Sequence, residues 1–315
     1  MIRKLLFFSL GFAFTVANGQ NLFSFGFDGT TANMLAAGWQ VTNQSTPIYA
    51  GAPTWSIASY ASATSTTPFG GTSSAGQSGG FNSLALVNYT STGTSSTTGS
   101  GTISNWLITP SINVVDGDVV TFWSRKGTSG TTDYPDRLEL RMSTAASTVV
   151  PSTGASDVGS FTTVALTINP TLAGGFIYPK VWTQYTYTVS GVPTPTDVKF
   201  AFRYFVTNGG PAGANSDIIG IDTFSVDRTL STQDFFAKNF TLYPNPANNV
   251  LNLSSKSNTA IETVQVLDLN GRVVKNTTVN GMTDAQVNVA DLNAGMYFVE
   301  VVTNEGKATS KFMKN

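Results

Sequence analysis

Asn239-Phe-Thr-Leu-Tyr-Pro-Asn-Pro-Ala-Asn-Asn-Val-Leu-Asn-Leu253 divides the chain. Pro244 and Pro246 each restrict φ and remove a backbone donor, so the segment stays extended and no helix runs through it. Asn248-Asn249 makes a turn, and Val250, Leu251 and Leu253 begin a strand. Downstream, Glu262-Thr-Val-Gln-Val-Leu-Asp-Leu269 and Arg272-Val-Val-Lys275 flank Asn270-Gly271, a pair suited to the positive φ angles of a type I′ hairpin turn. With 286–289, 295–302 and 308–313 these runs predict an Ig-like β-sandwich of about seven strands over residues 240–315.

Upstream, residues 20–228 show short alternating runs between Gly, Ser, Thr and Pro clusters. Arg137-Leu-Glu-Leu-Arg-Met142 puts Leu138, Leu140 and Met142 on one face and Arg137, Glu139 and Arg141 on the other. Residues 119–123, 182–189, 198–206 and 218–226 behave alike, and no helical period is found. The pattern predicts an antiparallel jelly-roll sandwich. Residues 229–239 read as a linker. The polar stretches 61–80 and 90–101 read as long surface loops, and Asp116-Gly117-Asp118 as a hairpin turn between strands at 112–114 and 119–122.

The chain has 315 residues, of which 11% are charged, with a net charge of −1. That near-neutral balance gives no footprint for nucleic acid or an anionic membrane. Cys and His are both absent. Disulfides, thiolate sites, Ser-His-Asp and Cys-His catalysis and the usual zinc sites are therefore excluded. Arg3 and Lys4, the apolar run Leu5–Val16 and the small residues Ala17-Asn18-Gly19 make residues 1–19 a signal peptide, with cleavage before Gln20. No later stretch reads as a transmembrane span, so the mature chain is expected to leave the cytoplasm without one.

Two resemblances follow. Gly38-Trp39, Trp55-Ser-Ile57, Trp106-Leu-Ile-Thr-Pro110, the run Tyr134–Ser143, Tyr178-Pro-Lys-Val-Trp-Thr183, Phe202–Val206 and Ile219–Val226 together resemble the choice-of-anchor J domain. That family is related to the cleaved adhesin domains of Bacteroidetes surface proteins. Leu242-Tyr-Pro-Asn-Pro-Ala-Asn248, Leu269-Asn-Gly-Arg272, Leu292-Asn-Ala-Gly-Met-Tyr297 and the basic terminus are similar to the type A C-terminal sorting domain of the type IX secretion system. Its motif residues here are Tyr243, Pro244, Asn245, Pro246, Gly271, Arg272, Gly295 and Tyr297. The resemblance implies the type IX secretion machinery as partner, display at the outer surface and attachment of the cargo to lipopolysaccharide.

The first resemblance also implies a jelly roll with a structural calcium. An acidic residue of the first strand and an Asp of the last would hold it, here Asp28 and Asp222, with backbone carbonyls completing the shell. The corresponding expectation is an adhesin-like protein, not an enzyme, binding a surface glycan or a matrix protein. Among the aromatics, Trp55 and Tyr60 flank the Ser/Thr/Gly loop and are the candidate sugar platforms, while Trp123 and Trp182 read as core. A hydrolase using Asp133 and Asp136, or a structural matrix component, are the alternatives. Charge pairing accounts for Glu139, and Asp136 suits a turn at a strand entrance.

Overall fold

The computed structural model describes residues 19–58, 76–80, 83–127, 132–228, 232–304 and 306–315. Residues 1–18, within the stretch read as a signal peptide, and Tyr60 lie outside the described residues. The chain splits into two compact units, residues 21–228 and 229–315.

In the first unit the elements are β1 (Gln20–Phe25), α1 (Thr31–Ala36), β2 (Gln40–Asn43), β3 (Ser56–Ile57), β4 (Ala85–Asn88), β5 (Gly101–Ile108) and β6 (Ile112–Val114). Then follow β7 (Val119–Lys126), β8 (Leu138–Ser143), β9 (Thr163–Ile168), β10 (Thr183–Thr188), β11 (Thr196–Gly209) and β12 (Ile218–Arg228). One sheet has the order β10-β7-β12-β4-β3 with β1 on β12, and the other β2-β5-β11-β8-β9 with β6 on β11. First and last strands are thus neighbours. Phe122 of β7 and Phe224 of β12 meet Phe202 of β11 edge-on across the core, at 4.9 and 5.7 Å between ring centroids. This is the expected all-β jelly-roll sandwich.

Several expectations need correction. Helix α1 was not visible as a period because six residues hold too few apolar positions; its signal is the Thr30/Asn33 capping box, with Met34 buried beneath. Trp123 is only half-buried, because β7 turns Val120, Phe122, Ser124 and Lys126 inward instead. Trp182 is half-buried as well. Asp116–Asp118 is no hairpin: β6 pairs with β11 and β7 with β10 and β12, so the turn carries the chain from one sheet to the other. Of the loop 90–101, Ser91, Thr92 and Gly93 are buried, anchored by the Thr92 hydroxyl donating to Pro47 O at 2.6 Å.

The second unit begins with α2 (Thr232–Asn239), within the stretch read as a linker. Phe236 of this helix is buried in the unit's core, which is why the segment folds. Strands β13 (Phe240–Tyr243), β14 (Val250–Ser255), β15 (Ile261–Leu267), β16 (Val273–Met282), β17 (Asp284–Asn288), β18 (Gly295–Thr303) and β19 (Gly306–Lys314) follow. They form the sheets β13-β14-β17 and β16-β15-β18-β19, the Ig-like sandwich expected. The β15–β16 turn is not type I′. Only Gly271 has positive φ (78°), Gly271 N donates to Asp268 O at 3.0 Å and Asp268 N to Arg272 O at 2.9 Å. That is a type I turn closed by a left-handed glycine, the three-residue hairpin loop.

Candidate functional site

Three places in the first unit gather chemistry. The first is the corner joining β1 and β12. A bulge between Asp222 and Ser225, with Thr223 at φ 50°, breaks the β12 ladder and turns the Asp222 side chain. Asp222 is fully buried, and its carboxylate accepts from Gln77 N at 2.7 Å, Ser78 N at 3.0 Å and Thr223 N at 2.6 Å. Asp28 Oδ1 lies against the Cα of Gly79, where a Cβ would collide with it. Around Gly76 the carbonyls of Ser78, Gly80 and Ser83 crowd the space a Cβ would fill. Burial pushes the Asp222 carboxyl up to about 6 against its backbone bonds, and the charge of Asp28 pushes the same way. The resemblance pairs Asp28 with Asp222, and the fold brings them to one corner; the amide donors of 77 and 78 were not foreseen. The oxygen-only donor set, two carboxylates with converging carbonyls, is chemistry that fits a hard cation such as calcium.

The second place is a buried charge cluster. Lys126, the last residue of β7, points inward and is 1% exposed. Its ammonium lies 2.5 Å from Asp133 Oδ1 and 3.0 Å from Asp136 Oδ2, and donates to Tyr134 O at 2.8 Å. Asp136 also accepts from the Tyr204 hydroxyl at 2.6 Å and from Asp217 N at 2.9 Å. Burial pushes the Asp136 carboxyl up, against the pull of Lys126 and these donors. Asp136 does lie at the entrance to β8, but it serves there as an interior ion-pair partner. Glu139 pairs with Arg141 at 2.7 Å and, across the strand, with Arg203 at 3.1 Å. The expected charge pairing is present, but this face of β8 is covered: Arg203 is buried, donates to Ala155 O and lies 3.6 Å from the Phe205 ring centroid. Asp133 and Asp136, the carboxylates of the hydrolase alternative, are thus held by a cation, as Glu139 is.

The third place is a cleft of about 530 Å³ where the loop after β4, the segment entering β8 and the β11–β12 connection meet. Tyr89, Tyr134 and Asp217 line it with Ser96, Thr97 and Ser216. Both tyrosines are exposed, at 38% and 44%. Trp55, the expected platform, is fully buried and donates from Nε1 to Asn105 O at 3.1 Å. Its ring belongs to the unit's core, so it presents no face to a ligand.

In the second unit, the motif residues assemble at one end of the larger sheet. Tyr243, Pro244, Asn245 and Pro246 are exposed, yet tied to β19: Met313 N donates to Asn245 Oδ1 at 2.9 Å and Ala247 N to Met313 O at 2.8 Å. Gly295 pairs with Lys314, and the Tyr297 ring stacks on Phe312 at 5.8 Å. Leu267 pairs with Phe298, which brings the Gly271-Arg272 turn to the same end. Residues 241–315 match the family model of the secretion system C-terminal sorting domain.

The sorting domain marks the chain for secretion and attachment at the cell surface, and it is the part that engages the type IX secretion machinery. Among solved structures, the chain is similar to the K1 cleaved adhesin domain of Lys-gingipain from Porphyromonas gingivalis W83. The identity is 19%, over 65% of this chain and 96% of that one, with a TM-score of 0.36. It is also similar to the K3 cleaved adhesin domain of the same protein, at 17% identity over 66% and 99%, TM-score 0.39. No curated protein matches the chain. Among the described residues no helix is long and apolar enough to cross a membrane.

Proposed function

We propose that the protein is a surface-anchored binding protein whose first unit, a choice-of-anchor J-type sandwich, recognises a glycan or matrix protein outside the cell. One observation carries this reading: a sorting domain follows a single separate sandwich whose long-range polar groups are spent on structure. Asp133 and Asp136 converge on Lys126, and Glu139 on two arginines, so the paired carboxylates that glycoside hydrolysis needs are not free to face a substrate. Binding is the role we assign to this unit. The signature of residues 1–19 supports entry into the export route, and lipopolysaccharide is the proposed point of attachment.

Calcium belongs to the proposal as a structural ion. Asp28 and Asp222, with carbonyls of the 76–83 segment, would hold it. Bound there, it would offset the burial and the neighbouring Asp28 charge that make the Asp222 carboxylate costly to ionise, and pin the segment to β12.

Binding of the mature chain to an array of glycans and matrix proteins, with calcium and with EDTA, tests the reading. Selective binding that is lost in EDTA supports both the adhesin and the ion. Binding indifferent to EDTA retains the adhesin and removes the ion's role, and an array without a single hit contradicts the adhesin.

A further inference from the structure

Exposed tyrosines in a cleft need a reason, because an aromatic ring gains most by being buried. Elsewhere in the first unit Trp39, Trp55, Trp106, Tyr178 and Tyr204 are buried in the core, and Trp123 and Trp182 are half-buried. Tyr89 and Tyr134 instead face one cavity, and they come from segments 45 residues apart in sequence, positions 89 and 134. Asp217 lines the same cleft, half-buried, with no hydrogen-bond donor among the described residues reaching its carboxylate oxygens. A carboxylate in that position has full acceptor capacity to offer a ligand. Ser96, Thr97 and Ser216 add hydroxyls to the wall.

The walls are already fixed. Tyr89 N donates to Asp217 O at 2.7 Å, Ser216 N to Pro135 O at 2.9 Å, and Ala212 N to Gly99 O at 3.0 Å. Asp217 N is held by Asp136 at 2.9 Å, and Asp136 by Lys126, so the buried ion cluster forms the cleft's foundation. A site whose backbone is tied this way loses little freedom on binding. Polar and aromatic surface are mixed there, which suits a ligand with an apolar face and many hydroxyls. The nearby carboxylates of Asp133, Asp136 and Asp217 outnumber the ammonium groups of Lys126 and Lys180, which disfavours an anionic ligand.

We infer that this cleft is a binding subsite for a neutral pyranose, with Tyr89 and Tyr134 stacking on sugar faces and Asp217 accepting from vicinal hydroxyls. The inference rests on reading the protein as a surface binding protein and names the class of ligand and its place. No bond is made or broken.

The test uses the mature full chain and neutral gluco-, galacto- and manno-oligosaccharides, with their uronate counterparts as controls. Saturation transfer from protein to sugar protons and titration calorimetry give the readouts. At least one neutral series should bind, and uronates should bind more weakly. Tyr134→Ala and Asp217→Asn should each weaken binding about tenfold or more. Tyr89→Ala/Tyr134→Ala should abolish it, with the melting temperature unchanged because both rings are exposed. Val181→Ala, on an exposed residue outside the cleft, should bind like the wild type. Sugar binding that survives in the double tyrosine variant overturns the cleft while leaving the adhesin in place. Binding only to matrix proteins on the same array does likewise, whereas no binding to sugar or protein overturns both.

Discussion

Lys126 Nζ lies 3.0 Å from Asp136 Oδ2, with both side chains shut away from water. A charge in that setting is tolerable only while its partner stays, because the desolvation cost of each ion is met by the other. Lys126→Met leaves Asp133 and Asp136 facing each other without a cation. It should cost about 3–5 kcal/mol in denaturant unfolding. The triple variant Lys126→Met/Asp133→Asn/Asp136→Asn should recover much of that loss, since the stranded charges are gone. If the triple variant is no better than the single one, the cluster's cost lies in packing and not in charge.

Arg203 makes a similar case for geometry over charge. Its guanidinium bonds Ser104 Oγ at 3.0 Å and Glu139 at 3.1 Å, donates to Ala155 O, and stacks on Phe205. A lysine keeps the charge but has neither the fork nor the flat face. Arg203→Lys should destabilise the first unit by about 1.5–3 kcal/mol, the range for hydrogen bonds to a charged group. Chemical denaturation would show it as a lower midpoint at constant slope.

Asp217 and Asp222 make stability depend on pH in a definite direction. Burial first, then the charge of Asp136, pushes Asp217 up to about 6, and burial does the same to Asp222. In the unfolded chain both titrate near the ordinary value of about 3.9. Between those values the folded state holds protons that the unfolded state has lost, so stability falls as pH rises from about 4 to about 6. Without calcium the melting temperature should decline across that window. Calcium should raise it near pH 7 and have little effect below about pH 5, where Asp222 carries its proton. Asp222→Asn should abolish the calcium response and flatten part of the slope. A calcium response that persists in this variant would place the ion elsewhere.

Gly271 holds φ 78° in the loop joining β15 to β16, a conformation that costs other residues about 1 kcal/mol or more. Gly271→Ala should therefore lower the stability of the second unit by roughly that amount. The first unit's transition should not move, since the two units are separately compact. Two-transition calorimetry distinguishes the outcomes, and a shift in the first transition would count against independent folding.

The architecture was legible because strand alternation reports burial directly: Leu138, Leu140 and Met142 are all buried, as their spacing required. What alternation does not report is whether the opposite face is covered. Glu139 reads as polar-face charge pairing, yet it and Arg203 are buried beneath the segment that carries Ala155 and Phe161. The pairing of Asp28 with Asp222 came from resemblance, since nothing in spacing alone joins residues at opposite ends of a domain. Trp55 was misread because its neighbours are polar, while its own bulk fills the core. The cleft of Tyr89, Tyr134 and Asp217 was missed for a topological reason: three loops supply it, and their meeting depends on strand order. Phe235-Phe236 was the one signal that the stretch before the sorting domain folds; two adjacent phenylalanines are poor linker residues.

The most direct measurement is the location of the first unit in cells, with and without the second. Because α2 packs within the second unit, the truncation should end at Arg228 rather than inside the helix. Antibody labelling and protease shaving of intact cells would report surface exposure. The full chain should be displayed at the surface, while residues 1–228 alone should be retained in the periplasm. Equal surface display of the truncated chain would contradict the account.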